Sequence, residues 1–375
     1  MAAHGIRLRL VGSRQRVPKK AGAGAANMEE KHPTIPEWKE LYDAAWRFKQ
    51  AEPWSSMWDT DLFGVKDPVT EKIGYCCVMG KAGVHFGLAV YLGREGLEGY
   101  LKAQSGEISP SSHDFLYLQK CLMASFEDRS LLEKADISVV KELGLKFRGH
   151  NAWPLFRSYR PGYFPWYLTA EEGRYLTLCL AQVVGVSVRF RDDPKILIPP
   201  DKNSYLVRVP IKSRSGLSWK DEWLTPQPLK KPRIIVKPID EEKLEEIKAM
   251  SIRSQGVWEA DFFYFPQPVA ERDDQRPCFP YVSLCADRES GLVLNSYLVD
   301  PAKFISEFPK RFLEFAASRK SLPEEILVKN EETLRLLRPI ANKLGFRVRK
   351  VRKLKALEDA QASMFEMLAG GNLDT

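Results

Sequence analysis

Carboxylates are the side chains here whose order along the chain comes nearest to a reaction. Phosphodiester cleavage with two Mg²⁺ ions about 4 Å apart needs acids that converge from several elements. Asp287 ends a predicted strand, Glu307 or Glu314 lies in the helix that follows, Glu331 caps the next strand, and Glu358 or Asp359 begins the last helix. Asp287, Glu331 and Glu358 are the candidate catalytic residues. Asp in a turn and Glu at a helix start are also what ordinary turn and capping chemistry supplies. Other chemistries find less. The six cysteines form no Cys-x-x-Cys pair, the five histidines are scattered, and neither a phosphate-cradling glycine loop nor a nucleophile elbow occurs. Adjacent Cys76 and Cys77 fall in a strand-like run, where neighbours point to opposite faces, so a shared metal is disfavoured. No metal and no cofactor is expected.

Two stretches suit binding. Residues 147–168 read as an inserted aromatic loop in which Arg148, Trp153, Arg157, Tyr159, Arg160, Tyr163 and Trp166 interleave cations with rings and no acid intervenes. Such a set can stack bases or grip a peptide, and Pro154, Pro161 and Pro165 stiffen it. The bland alternative is a loop folded onto its own core. The second stretch holds Lys343, Arg347, Arg349, Lys350, Arg352, Lys353 and Lys355 without an acid between them. It reads as a phosphate-contacting face or as one solvated strand face.

The elements that position these residues form a repeating order. Thr34 and Glu37 have capping-box spacing and open a helix through Trp38, Leu41, Tyr42, Ala45 and Trp46. A hairpin follows at Tyr75–Met79 and Val84–Tyr91, and a second at Tyr281–Cys285 and Leu292–Leu298. Each leads to a helix, a strand (121–126; 326–329), a helix ending in Leu-Gly (143–144; 344–345), a strand beginning at the next residue, and a last helix (170–184; 357–368). Pro309 should kink or restart the helix after the second hairpin. The fold class is α+β, with two similar ββαβαβα modules from an internal duplication. Nucleases of the ribonuclease H type place three strands before their first helix, so the two predicted here weigh against that reading.

Composition sets the outer bounds. A chain of 375 residues with 44% apolar content suits two globular domains, and Leu176–Val188 is too short and too polar to cross a bilayer. Residues 1–27 carry six cations and no acid, so only +2 of the net +8 belongs to the rest. That tail reads as a disordered extension or a misassigned start before Met28. An N-terminal domain is expected over 34–215, a linker over 216–240 punctuated by Pro226, Pro228, Pro232 and Pro238, and a C-terminal domain over 241–375. Tyr205–Val209 and Gly216–Trp223 also look like a strand pair.

The stretches Leu62–Pro68, Gly74–Gly80, Gly87–Tyr91 and Arg157–Tyr163 resemble an uncharacterised bacterial domain of unknown function. The second half, through Trp258–Tyr264 and Arg276–Pro280, resembles another that accompanies it and is also found beside plasmid-type ORF-3-like domains. The resemblance implies a bacterial cytoplasmic protein and no activity, and it carries over no functional residue. Three functions follow for test: a non-enzymatic protein that binds a protein or peptide, a nucleic-acid-binding accessory protein, and a divergent ribonuclease H-like nuclease. No membrane contact is expected.

Overall fold

The cap expected at the first helix is made in both directions: Thr34 N–H donates to Glu37 Oε2 at 2.7 Å, and Glu37 N–H donates to Thr34 Oγ1 at 3.5 Å. In the computed structural model, residues 31–109, 113–213, 216–228, 240–250, 256–270, 272 and 275–370 are described. Its contacts divide the chain into two units, 1–230 and 231–375. The basic tail 1–27, Pro232 and Pro238 lie outside the described residues.

The first unit runs α1 (Ile35–Ala51), β1 (Phe63–Lys66), β2 (Ile73–Met79), β3 (Phe86–Leu92), α2 (Gly93–Gln104), α3 (His113–Leu118), β4 (Cys121–Glu127), α4 (Lys134–Glu142), β5 (Trp153–Tyr159), α5 (Ala170–Asp192), β6 (Tyr205–Ser213) and β7 (Gly216–Leu224). Its seven strands lie in the order β5-β4-β3-β2-β1-β6-β7, and only β1 and β6 pair in parallel. Alternate residues of β2 to β4 serve two cores. Cys76, Val78, Leu88, Val90, Leu122 and Ala124 pack with residues of α1 and α5, while Tyr75, Cys77, Ala89, Tyr91 and Cys121 pack with Leu97 and Tyr100 of α2. Burial on both faces is why Tyr75–Met79 reads as a nearly continuous apolar run. The strands approach closely at Gly87, where an added Cβ would lie 2.5 Å from the Ala124 carbonyl oxygen.

The second unit runs α6 (Glu241–Ala249), β8 (Val257–Tyr264), β9 (Tyr281–Asp287), β10 (Val293–Val299), α7 (Pro301–Arg319), β11 (Glu325–Val328), α8 (Glu331–Leu344), β12 (Arg347–Lys350) and α9 (Lys355–Gly370). Pro309 lies inside α7 as one of its buried residues, and the helix continues through it to Arg319. The strand order is β10-β9-β8-β11-β12, with β8, β11 and β12 mutually parallel and β9 antiparallel to both neighbours. Phe304, Phe308 and Phe312 of α7 pack with Leu336, Leu337 and Ile340 of α8 and with Trp258 and Ala260. Leu354 and Leu357, at the start of α9, pack with Leu284, Ala286 and Leu327 on the opposite face.

An α+β fold with a separate sheet in each half is therefore present, and the expected order of elements can be read in both. Part of the strand pairing recurs, since β3-β2-β1-β6 and β10-β9-β8-β11 are both joined antiparallel, antiparallel and parallel, but the expected counterparts β4 and β11 are not paired alike. In the first unit β4 adds antiparallel to β3 at the outside, whereas β11, its expected counterpart, sits beside β8 in parallel. The helices between explain the difference. β10 and β11 point the same way, so a single long helix must carry the chain back along the sheet; α7, with 19 residues and a length of about 28 Å, does so. β3 and β4 point opposite ways, and the chain returns through two shorter helices, α2 and α3. The two modules fit one order of elements and differ at this step.

Two boundaries also move. β7 pairs with β6 along its whole length, so residues 216–224 belong to the first sheet and not to a linker. The strand expected after Leu143-Gly144 begins later, at Trp153, inside the segment read as a loop.

Candidate interaction surfaces

The aromatic segment 147–168 is organised around β5, the outer strand of the first sheet. Trp153 pairs with Glu127 and Tyr159 with Cys121, so an edge strand runs through the middle of the expected inserted loop. Pro154 is compatible with that place because an edge strand can spare one main-chain donor. The chain then turns back, and Ser158 and Trp166 exchange main-chain hydrogen bonds of 2.8 and 3.0 Å along the outer side of β5.

Acids absent from the segment itself arrive from α4 and α5. Arg157, 9% exposed, donates from both terminal nitrogens to Asp136 at 2.8 and 2.7 Å, and its guanidinium lies 4.9 Å from the Tyr167 ring centre. Burial opposes the charge of Arg157, but the Asp136 carboxylate outweighs it and raises the guanidinium's pKa. Tyr167 in turn donates to Glu133. Arg160 and Ser158 both donate to Glu172, at 3.0 and 2.9 Å. Tyr159 is buried in the α2-side core. Trp153 is half-buried against Phe147 with Arg129 over its ring, while Tyr163 and Trp166 are half-buried and Trp166 leans on Tyr167. Arg148 is exposed. The seven residues thus divide: Arg157 and Tyr159 hold the domain together, and the others lie part-way or fully out.

The three candidate acids do not meet. Asp287 closes the β9–β10 turn, accepting from the Ser290 N–H and hydroxyl at 2.8 and 2.7 Å, and it pairs with Trp258 near the beginning of β8. Glu331 lies beyond the far end of β11, paired with Lys350 at 3.2 Å and Arg335 at 3.4 Å; the Lys350 contact holds its carboxyl below the usual range. Glu358 pairs with Lys329 at 3.6 Å. Among the described residues, no group of three or more His, Cys, Asp or Glu is placed to hold a metal ion.

One objection drawn from the strand count nevertheless falls, because β8 makes three strands before α7. Its acids, Glu259 and Asp261, are 1% and 5% exposed and are the functional-looking pair that sequence reasoning passed over. β8 and β11 are parallel neighbours whose connections leave in opposite directions, the kind of switch point where ligands of open sheets bind. Asp261 lies there, but its oxygens are filled. They accept from Lys329 N–H (2.6 Å), Asn330 N–H (2.8 Å), Asn330 Nδ2 (2.7 Å), Thr333 Oγ1 (2.7 Å) and Phe262 N–H (3.0 Å). Glu259 accepts from Leu357 N–H at the start of α9. Glu259 caps α9, and Asp261 holds the turn that leads from β11 into α8. The available signal was that a carboxylate inside a run as apolar as Trp258–Phe265 must be paired.

The basic run is part-neutralised. Lys343 pairs with Glu241, Arg349 with Glu325 and Lys350 with Glu331, while exposed Arg347, Arg352, Lys353 and Lys355 make no ion pair among the described residues.

The four sheet edges are not alike. An edge strand exposes unpaired main-chain groups that invite another strand, and proteins blunt it with charge, proline, brevity or cover. β5 has Pro154 and the Trp166 bridge; β7 carries Lys220, Asp221 and Glu222; β12 is four residues long with three cations. Among the described residues β10 shows no charge, proline or cover, and its one irregularity is a register shift between Val293 and Asn295. Val-Leu-Asn-Ser-Tyr-Leu-Val contains neither charge nor proline, pairs only with β9 among the described strands, and leaves Val293 and Leu298 at 42% and 51% exposure.

Residues 38–208 match the family described as Domain of unknown function (DUF7309), and residues 243–365 match Domain of unknown function (DUF6930). Different families for the two halves agree with their different strand orders. No curated protein matches the chain.

Proposed function

As a chain that joins a DUF7309 domain to a DUF6930 domain, the protein is, we propose, a non-enzymatic binding protein whose contact element is the open edge of β10. It takes up an extended strand by main-chain pairing, with side-chain pockets secondary. The observation that carries this reading is the contrast between β10 and the three blunted edges. Further support comes from Asp261, the carboxylate at the switch point, whose oxygens are filled by donors of β8 and of the segment that opens α8.

The test is a labelled peptide alternating valine and threonine, chosen to report strand addition without side-chain specificity. Fluorescence anisotropy should show saturable binding to the intact chain and loss of that binding in Leu298→Lys. Absence of saturable binding to the monomeric chain, or equal binding by the variant, removes the edge as the contact element.

A second reading, contact with nucleic acid, is favoured by exposed Arg347, Arg352, Lys353 and Lys355. If all four meet phosphates, affinity for a DNA duplex should fall roughly a hundredfold between about 50 and 200 mM salt. No binding at the lower concentration ends this reading.

A further inference from the structure

We propose that the strand received at β10 is β10 of a second copy of this chain, paired antiparallel about a two-fold axis so that two five-stranded sheets become one of ten. This rests on the strand-addition reading above.

Self-pairing sets stricter conditions than pairing with an arbitrary partner, and β10 meets them. Antiparallel union of a strand with itself brings each donor row against the same row reversed, so the same patch serves both copies. It also sets the strand's own charges against one another, and like charges in facing positions destabilise a ladder. Val293–Val299 carries none. The opposite edge of the same sheet shows the contrast: β12 paired with its copy would crowd Arg347, Arg349 and Lys350 against their equivalents.

The exposed apolar side chains point the same way. Val293, Ser296 and Leu298 stand opposite Ala286, Leu284 and Val282 of β9, so all three lie on one face, and a register shift between Val293 and Asn295 keeps them there. At β9 that face is covered, since Leu284 and Ala286 pack with Leu354 and Leu357; at β10 it is bare, with Val293, Ser296 and Leu298 exposed. On the other face Tyr297 is already packed, with Arg311 4.7 Å from its ring centre and paired to Glu307. Across the two-fold axis, the bare Val293 and Leu298 of each copy gather into one apolar patch of neutral groups. A partner with a charged strand would lose that match, and a second copy supplies it without further requirement.

Sedimentation velocity of the full chain, run to about 100 µM, tests this. The expected result is a concentration-dependent species at twice the 42.8 kDa chain mass. Val293→Lys and Leu298→Lys should each return it to monomer while shifting the melting temperature by only about 2 °C, as suits exposed positions. A wild-type monomer throughout overturns the inference, and so does a dimer that neither substitution weakens. If a monomeric wild type still binds the valine–threonine peptide, self-pairing fails while strand addition stands. If removing residues 1–27 converts a monomer into a dimer, that segment and not a second copy is the resident strand, which also overturns it.

Discussion

Asp261→Ala is expected to unfold the second unit locally, with a loss of about 3 kcal/mol or more, because several buried donors lose their acceptor together. Lys329 N–H, Asn330 N–H, Asn330 Nδ2 and Thr333 Oγ1 all end on this one carboxylate, which joins β8 to the beginning of α8. Asn at the same position keeps one acceptor oxygen and should cost less. Hydrogen exchange followed by mass spectrometry separates the units, which a bulk melt does not: peptides covering 257–264 and 326–341 should lose protection while those of the first unit keep theirs. A metal-binding acid behaves in the opposite way, since its removal relieves a charge and leaves the fold intact. Unchanged protection in Asp261→Ala would deny the carboxylate its structural role.

Arg157→Ala is expected to cost the first unit about 3–5 kcal/mol, the usual penalty for leaving one partner of a buried ion pair alone. Asp136 would lose both guanidinium donors, and β5 would lose its tie to α4. Thermal unfolding measures the loss. Replacing both partners, Arg157→Met with Asp136→Leu, should recover a large part of it, because an apolar pair needs no compensating charge. If Arg157→Ala melts like the wild type, the side chain belongs to a surface site and the ion pair contributes nothing.

These two residues show where legibility ended. The Thr34–Glu37 cap, the hairpins and the α+β class could be read directly, since each depends on residues a few positions apart or on local periodicity. Arg157 looked like part of an acid-free recognition loop because its acids, Asp136 and Glu133, lie more than twenty positions back along the chain. Asp261 went unnoticed because β8 is covered on both faces, so alternation gave no hint of which way its carboxylate points. The β10 edge was visible as a hairpin strand, but its neutrality mattered only after the outer position in the sheet was known.

What the amino-acid order determined alone was the inventory: which segments become strands and helices, where most of them begin, and that they fall into two α+β halves. Tertiary structure decided which strands lie side by side, hence that β4 and β11 part company, that Asp261 holds the turn into α8 and that β10 remains open. The reason is range. Helix caps and turns are settled by neighbours within a few residues, whereas strand order and the pairing of buried charges depend on which distant faces must be covered together, and no local pattern encodes that choice.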